Sequence, residues 1–267
     1  MSTTQSSTVF RTDCLKGRTV LITGGAGGLG RTIVRALSTH GARVAVNDIA
    51  PGDYAVEMSQ CGPEVGYFRA NVADESAVAD LFDRVAREYG VPTVVCCHAG
   101  VVEPAPYTSL TTEQFRKTLD VNVTAAFLVS REAIRRMRGV VDQVHVGRII
   151  FTSSWVQDVP WPEIAAYAAS KSAIKMLMRS LALEVAQEHI RVNAVAPGIV
   201  GTGMAKQQWD TDERYRTRAR RAIPLGFLQP AESVADAFLF LTSDASNYMT
   251  GATLLVDGGC SLCPMDP

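Results

Sequence analysis

Tyr167 and Lys171 stand four residues apart in "AYAASKSAIKMLMRS", a run whose apolar residues recur at helical spacing. On a helix that spacing puts both side chains on one face, one turn apart. An ammonium beside a phenol favours the phenolate, so the pair could move a proton. The same pair could also sit on an ordinary surface helix, and the rest of the chain has to decide. A second stretch, "TGGAGGLG" from Thr23 to Gly30, joins an apolar strand, "RTVLITG", to an amphipathic run that ends near Gly41. A glycine-rich turn in that position lets backbone N–H groups and a helix N-terminus approach a pyrophosphate. It lacks the Gly-Lys-Ser/Thr of a P-loop. Asp48 closes the next strand, "RVAVNDI", 18 residues beyond Gly30. A carboxylate there can accept hydrogen bonds from both adenosine ribose hydroxyls and would repel a 2′-phosphate. The first half of the loop offers no Lys or Arg, and Arg31 starts the helix beyond it. The expected cofactor is therefore NAD, not NADP.

The elements that would position these groups follow one rhythm. Strand-like runs "VGYFRANV", "TVVCCHAG", "VGRIIFTSS", "IRVNAVAPG" and "GATLLVDGG" alternate with helical ones, including "SAVADLFDRVAREYG", which Asp74 can cap. The strands are continuous apolar runs, as expected when helices cover both sheet faces. The fold class predicted is α/β: a single doubly wound Rossmann-type domain with a seven-stranded, mostly parallel sheet over residues 16–267, after a flexible N-terminal extension over 1–15. Two long helices are expected, Thr111–Met137 and Tyr167–Gln187. The polar segment 203–229 interrupts the rhythm after a strand end, where ligands bind in such sheets, and reads as a substrate-binding lid. Its five arginines between Arg214 and Arg221 follow Asp210, Asp212 and Glu213 and read as a solvated face.

Composition narrows the function classes. The 267 residues carry a formal net charge of −1 and are 47% hydrophobic, a globular composition with no basic balance toward nucleic acid or an anionic membrane. No apolar run reaches membrane-spanning length, and "MSTTQSSTVFRTDCLKG" lacks the apolar core of a secretory signal, so a cytoplasmic protein is expected. Cys96 and Cys97 lie in a strand. Cys260 and Cys263 form a CxxC without the further ligands a zinc knuckle needs, so no metal is expected.

Together these segments resemble the short-chain dehydrogenases/reductases. "TGGAGGLG" resembles that family's TGxxxGxG cofactor loop and "YAASK" its YxxxK pair; "APGIVGT" and "VDGG" resemble its later motifs, and the resemblance spans about residues 16–259. It implies that Ser154, 13 residues before Tyr167, is the catalytic serine, and that Asn122 is the active-site asparagine, which holds a water behind Lys171. Asn122 is also a polar residue in apolar "VNVTAAFLV", which needs a buried partner. The implied catalytic set is Asn122, Ser154, Tyr167 and Lys171. The implied cofactor contacts are Gly24, Gly28, Leu29, Gly30, Asp48, Asn71, Val72, Ala99, Gly100, Tyr167, Lys171, Pro197, Gly198 and Thr202. Cys97 and His98 replace two asparagines of the family pattern, and His98 reads as a structural, hydrogen-bonded residue. The resemblance further implies helix pairing across subunits into a homotetramer.

Within the family, Pro160, Trp161 and Pro162 and the ending "DGGCSLCP" are most similar to bacterial glucose 1-dehydrogenases. Val156 and Gln157 depart from their polar sugar-pocket positions, and Val101, Val102, Trp155, Val156 and Trp161 suggest a more apolar wall. The expected substrate is a secondary alcohol or its ketone, a sugar or other neutral cyclic alcohol, contacted by Ser154, Trp155 and Trp161, with glucose turned over poorly compared with a less hydroxylated ring. Two alternatives stay open: a reductase of a 3-oxoacyl thioester or another ketone, and a non-catalytic nucleotide-sensing protein on the same fold.

Overall fold

Seven short strands lie side by side in the order β3-β2-β1-β4-β5-β6-β7 in the computed structural model, which describes residues 10–52 and 54–262. They are β1 (Thr19–Thr23), β2 (Arg43–Asp48), β3 (Val65–Arg69), β4 (Val94–Cys97), β5 (Gly147–Thr152), β6 (Ile190–Pro197) and β7 (Thr253–Val256). Every neighbouring pair is parallel. The helices that return the chain are α1 (Gly28–Thr39), α2 (Tyr54–Ser59), α3 (Glu75–Tyr89), α4 (Thr112–Leu119), α5 (Ala125–Met137), α6 (Ala165–Val185), α7 (Gly203–Thr211), α8 (Glu213–Ala222) and α9 (Ala231–Thr242). The predicted architecture is present, and the sheet is wholly parallel.

Side chains alternate across each strand, so every strand feeds two cores. On one face Leu21, Val95, Ile149 and Phe151 pack with residues of α3, α5 and α6. On the other, Val20, Ile22, Val94, Cys96 and Ile150 pack with α1 and α9. Leu15, expected in a flexible extension, is fully buried in this second core, and its N–H donates to His40 O at 2.9 Å. The apolar side chain of Leu15 fills the corner beside α1, so the ordered domain begins before residue 16. Asp74 caps α3 as expected, accepting from Ser76 N and Ala77 N. Gly41 follows α1 at φ +92°, the left-handed turn a helix end favours.

The segment Thr111–Met137 is helical throughout, but not uniformly. Between α4 and α5, Asp120–Thr124 forms a π-helical turn with Asn122 at its middle. Thr111 and Gln114 close a reciprocal capping box at the start of α4. The helix bearing Tyr167 begins two residues earlier than expected and its α-helical part ends at Val185, with a 3₁₀ turn beyond.

The strand order reverses between β1 and β4, and the chain's glycine-rich turn lies at that switch point. Open parallel sheets bind ligands there, outside the carboxyl ends of the strands.

Candidate active site

A cleft of about 510 Å³ opens along the carboxyl edge of the sheet. Each wall is a strand end: Gly24 and Gly27 to Gly30 after β1, Asp48 and Ile49 at β2, Ala70 to Ala73 after β3, His98 to Val102 after β4, Thr152 to Ser154 at β5, Pro197 and Gly198 at β6. The structure brings together every residue expected at the cofactor: Gly24, Gly28, Leu29, Gly30, Asp48, Asn71, Val72, Ala99, Gly100, Tyr167, Lys171, Pro197, Gly198 and Thr202 all line this cleft.

The glycines do steric work. A Cβ on Gly24 would lie 2.7 Å from Ala99 Cα, and one on Gly30 would lie 2.7 Å from Gly24 O. The turn therefore folds tightly onto α1 and brings its backbone against the loop after β4. Thr23 Oγ1, which sequence reasoning missed, accepts from His98 N and Ala99 N, both at 3.1 Å, and locks that approach. Asp48 Oδ2 accepts from Ala26 N at 3.1 Å, while Oδ1 accepts from Ile49 N at 2.8 Å. These bonds orient the carboxylate at the cleft wall. An elongated cleft with a glycine-lined turn at one end and a carboxylate beside it fits a dinucleotide.

Tyr167, Lys171 and Ser154 meet at the other end. Lys171 is buried, lies with Nζ 5.3 Å from the Tyr167 ring centroid, and donates to Thr152 O at 2.8 Å. Ser154 lines the same cleft as the Tyr167 phenol, and its hydroxyl favours the ionised phenol. The adjacent Ser153 is occupied elsewhere, donating to Gln157 Oε1 at 2.7 Å. Burial raises the Tyr167 pKa, with the Ser154 hydroxyl pulling the other way. Burial lowers Lys171 to about 8. Desolvation of the phenolate is the larger influence on Tyr167 and the Ser154 hydroxyl the smaller.

Asn122 stands behind this group. Its Oδ1 accepts from Val101 N at 2.7 Å, and its Nδ2 donates to Val101 O at 3.0 Å and Ser170 Oγ at 2.9 Å. The side chain therefore braces the loop after β4 against α6, and its Oδ1 keeps a second lone pair for a further donor. The need for a buried partner was legible; which partner was not. His98 Nδ1 lies 2.9 Å from Thr152 Oγ1, and burial lowers the ring to about 4, so it is a neutral, hydrogen-bonded residue at neutral pH.

A second, smaller cavity of about 210 Å³ adjoins the first and shares Ser154 and Tyr167 with it. Its wall is Val102, Pro104, Trp155, Val156, Trp161, Ile164, Ile199 and Tyr215, with Gln208 and Thr202 as polar members. Trp155 and Trp161 pack edge to face at 5.3 Å, and Trp161 meets Tyr215 of α8 at 6.4 Å. Two sequence expectations need correction. Gln157 does not line this cavity; its carboxamide turns inward to Ser153, because a buried amide takes the partner within reach. Val101 lines the larger cleft, since the Asn122 brace points its stretch of chain that way. The lid arginines do not enter the cavity. Arg218 stacks over Trp161, Arg220 over Trp209, and Arg216 pairs with Glu213. Tyr215 and Gln208, which no motif marked, reach the cavity because α7 and α8 fold over it. Cys263 lies outside the described residues. Among the described residues no cluster of three or more His, Cys, Asp or Glu could hold a metal ion, and no helix is long and apolar enough to cross a membrane.

Comparison with known proteins agrees with this geometry. A family model described as enoyl-(acyl carrier protein) reductase matches residues 24–261. The 3beta-hydroxysteroid dehydrogenase 1 of Eggerthella lenta is 36% identical over 94% of this chain and 97% of its own. The cis-4-hydroxycyclohexanecarboxylate dehydrogenase of Sinomonas cyclohexanicum is 36% identical over 91% and 96%. Glucose 1-dehydrogenase 2 of Bacillus subtilis is 34% identical over 94% and 97%. Among solved structures, a 3-ketoacyl-(acyl-carrier-protein) reductase from Brucella melitensis complexed with NADH superposes with a TM-score of 0.86, 26% identity and coverage of 92% and 99%. A gluconate 5-dehydrogenase from Burkholderia cenocepacia in complex with NADP and tartrate gives 0.87, 27% and coverage of 95% and 99%. A parallel sheet that presents a glycine turn, a serine, a tyrosine and a lysine along one edge, matched over nearly its whole length by such enzymes, is an oxidoreductase scaffold for an NAD(P)-type dinucleotide: the chain belongs to the short-chain dehydrogenase/reductase family.

Proposed function

We propose that the protein oxidises a neutral, weakly hydroxylated cyclic secondary alcohol with NAD, or reduces the corresponding ketone. The observation that carries this is the shared wall: Ser154 and Tyr167 face the dinucleotide cleft on one side and a cavity of tryptophan, valine and isoleucine on the other. A bound dinucleotide supplies the hydride acceptor, or donor, at its nicotinamide C4. Tyr167 would take the alcohol proton as its phenolate in oxidation and return it as the neutral phenol in reduction. Ser154 would donate a hydrogen bond that places the substrate oxygen, and Lys171 would hold the nicotinamide ribose. Asn122 acts through position, by fixing the Val101 loop and α6.

A pyranose would leave several hydroxyls facing Val156, Ile199 and Trp161 without partners, and each unmatched buried hydroxyl costs about 1–3 kcal/mol. An alicyclic ring matches the flat indole faces. The carbocyclic and steroid alcohols named for two relatives support this ring class; the glucose enzyme of similar identity supports the scaffold equally. Segment 203–229 is proposed to act as the lid, since its Ala205, Gln208 and Tyr215 form one side of the cavity. The assembly is proposed to be a homotetramer.

The test is kcat/KM with NAD and with NADP for glucose, cyclohexanol-type alcohols, a 3-hydroxysteroid, a short linear secondary alcohol and a 3-oxoacyl thioester. A carbocyclic alcohol should lead by tenfold or more, with NAD. A linear alcohol or the thioester in front removes the ring reading; glucose in front removes the apolar-wall reading. Binding of NADH with no turnover of any of these would favour a sensor.

A further inference from the structure

One cation beside the cofactor turn is left unused by the reading above. Arg31 directly follows Gly30, yet it does not line the cleft, whereas Gly28, Asp48 and Ile49 do. Three contacts hold it aside. Its Nε donates to Ala26 O at 2.7 Å, its Nη1 pairs with Glu57 Oε2 at 2.6 Å, and its guanidinium carbon lies 5.2 Å from the Tyr54 ring centroid. Glu57 and Tyr54 both belong to α2. Ala26 also donates its N–H to Asp48 Oδ2 at 3.1 Å. The ribose-facing carboxylate and the guanidinium are thus tied to the two ends of one residue.

An exposed ion pair alone holds a side chain weakly. A planar fork satisfied at once by a carbonyl, a carboxylate and an aromatic face is held in one orientation. We propose that Arg31 is a latent 2′-phosphate-binding cation which α2 holds out of the adenosine ribose site, so that cofactor choice is set by Asp48 and Glu57 together. The inference rests on the reading that Asp48 faces that ribose. A 2′-phosphate brings negative charge and acceptor oxygens, which a guanidinium binds in bidentate fashion. Glu57 opposes it by occupying the guanidinium, and Asp48 opposes it by direct repulsion. Removing Asp48 alone leaves the phosphate without a partner. Removing Glu57 alone frees the cation but leaves the repulsion. The two replacements should therefore be coupled and gain more together than in sum.

The experiment measures Kd for NADH and NADPH by nicotinamide fluorescence at low ionic strength, for the wild type, Asp48→Ser, Glu57→Ala, the double variant, and the double variant with Arg31→Ala. Thermal unfolding of each checks the fold, and Glu57→Gln serves as a milder second variant in the same series. Asp48→Ser should weaken NADH and help NADPH only a few-fold. The double variant should bind NADPH about tenfold or more tightly than Asp48→Ser does, and Arg31→Ala should abolish that gain while changing NADH affinity little. A double variant no better than Asp48→Ser, or a gain that survives Arg31→Ala, overturns the role of Arg31. A wild type that binds NADPH as tightly as NADH, or an Asp48→Ser protein with undiminished NADH affinity, overturns the Asp48 reading instead, and the proposal with it.

Discussion

Tyr167 faces opposed demands from its surroundings. Burial favours the neutral phenol, and the Ser154 hydroxyl favours the ionised form. Reduction needs the neutral phenol and oxidation the phenolate, so both influences bear on the proton transfer. Tyr167→Phe keeps the ring and removes the transferable proton, so kcat should fall about 100-fold or more while NADH affinity, read by fluorescence, stays within a factor of two or so. Near-wild-type kcat under conditions where chemistry limits the rate would assign the proton to another group. His98 makes a separate prediction, about stability. Its folded pKa is lowered to about 4 by burial, with Lys171 adding to the effect, against about 6.5 in an unfolded chain. Above pH 6.5 neither state binds the proton and nothing is lost. As pH falls from 6.5 toward 4 the unfolded state takes a proton that the folded state refuses, so stability drops, by up to about 3 kcal/mol. His98→Asn can keep a bond to Thr152 without titrating. Urea unfolding at pH 7.5 and 4.5 should show a smaller difference for this variant than for the wild type; equal differences would mean that His98 is protonated in the folded state as readily as outside it.

At the scale of elements, the π-helical turn between α4 and α5 decides where Asn122 points. A π turn inserts an extra residue into the helical repeat and rotates the side chains that follow. Here it aims the Asn122 carboxamide at both backbone groups of Val101 and at Ser170. Asn122→Ala should leave those buried partners unpaired and lower the unfolding free energy by about 2–4 kcal/mol, measured in urea. It should also reduce kcat, because Ser170, which the Asn122 carboxamide holds, directly precedes Lys171. A variant as stable as the wild type would show that the brace is dispensable. The turn was not legible in the sequence, where "LDVNVTAAFLV" continues an apolar pattern without a break. What was legible was local: Tyr167 and Lys171 share a face because four residues make one helical turn, and Gly24, Gly30 and Asp48 have fixed places in a strand–turn–helix–strand unit. The contacts that escaped sequence reading join segments far apart in the chain. Gln157 chose Ser153 over the cavity, Tyr215 came from α8 to complete the aromatic wall, and α2 captured Arg31. In each case several partners were chemically possible, and only the packing selects one.

At the scale of the whole molecule, the helices over one sheet face carry more apolar surface than that sheet covers. Leu128, Ile134, Ile174 and Met178 of α5 and α6 already fill the core beneath them. Yet Phe115 of α4, Phe127 of α5, and Met176 and Leu183 of α6 remain exposed, Leu183 at 83%. Met176 and Leu183 are seven residues apart, two turns along one face of α6. Exposed apolar side chains on these helices are where the proposed assembly would pair its subunits. In a two-fold interface each side chain appears twice, so a single charge is introduced in duplicate. The proposed homotetramer should therefore sediment at four times the protomer mass of 28.7 kDa. Phe127→Arg combined with Leu183→Arg should convert it to dimers or monomers without lowering the far-ultraviolet helical signal, because neither side chain belongs to the buried core. A wild type that sediments as a monomer at micromolar concentration removes the proposal, and a double variant that remains tetrameric moves the interface to another face.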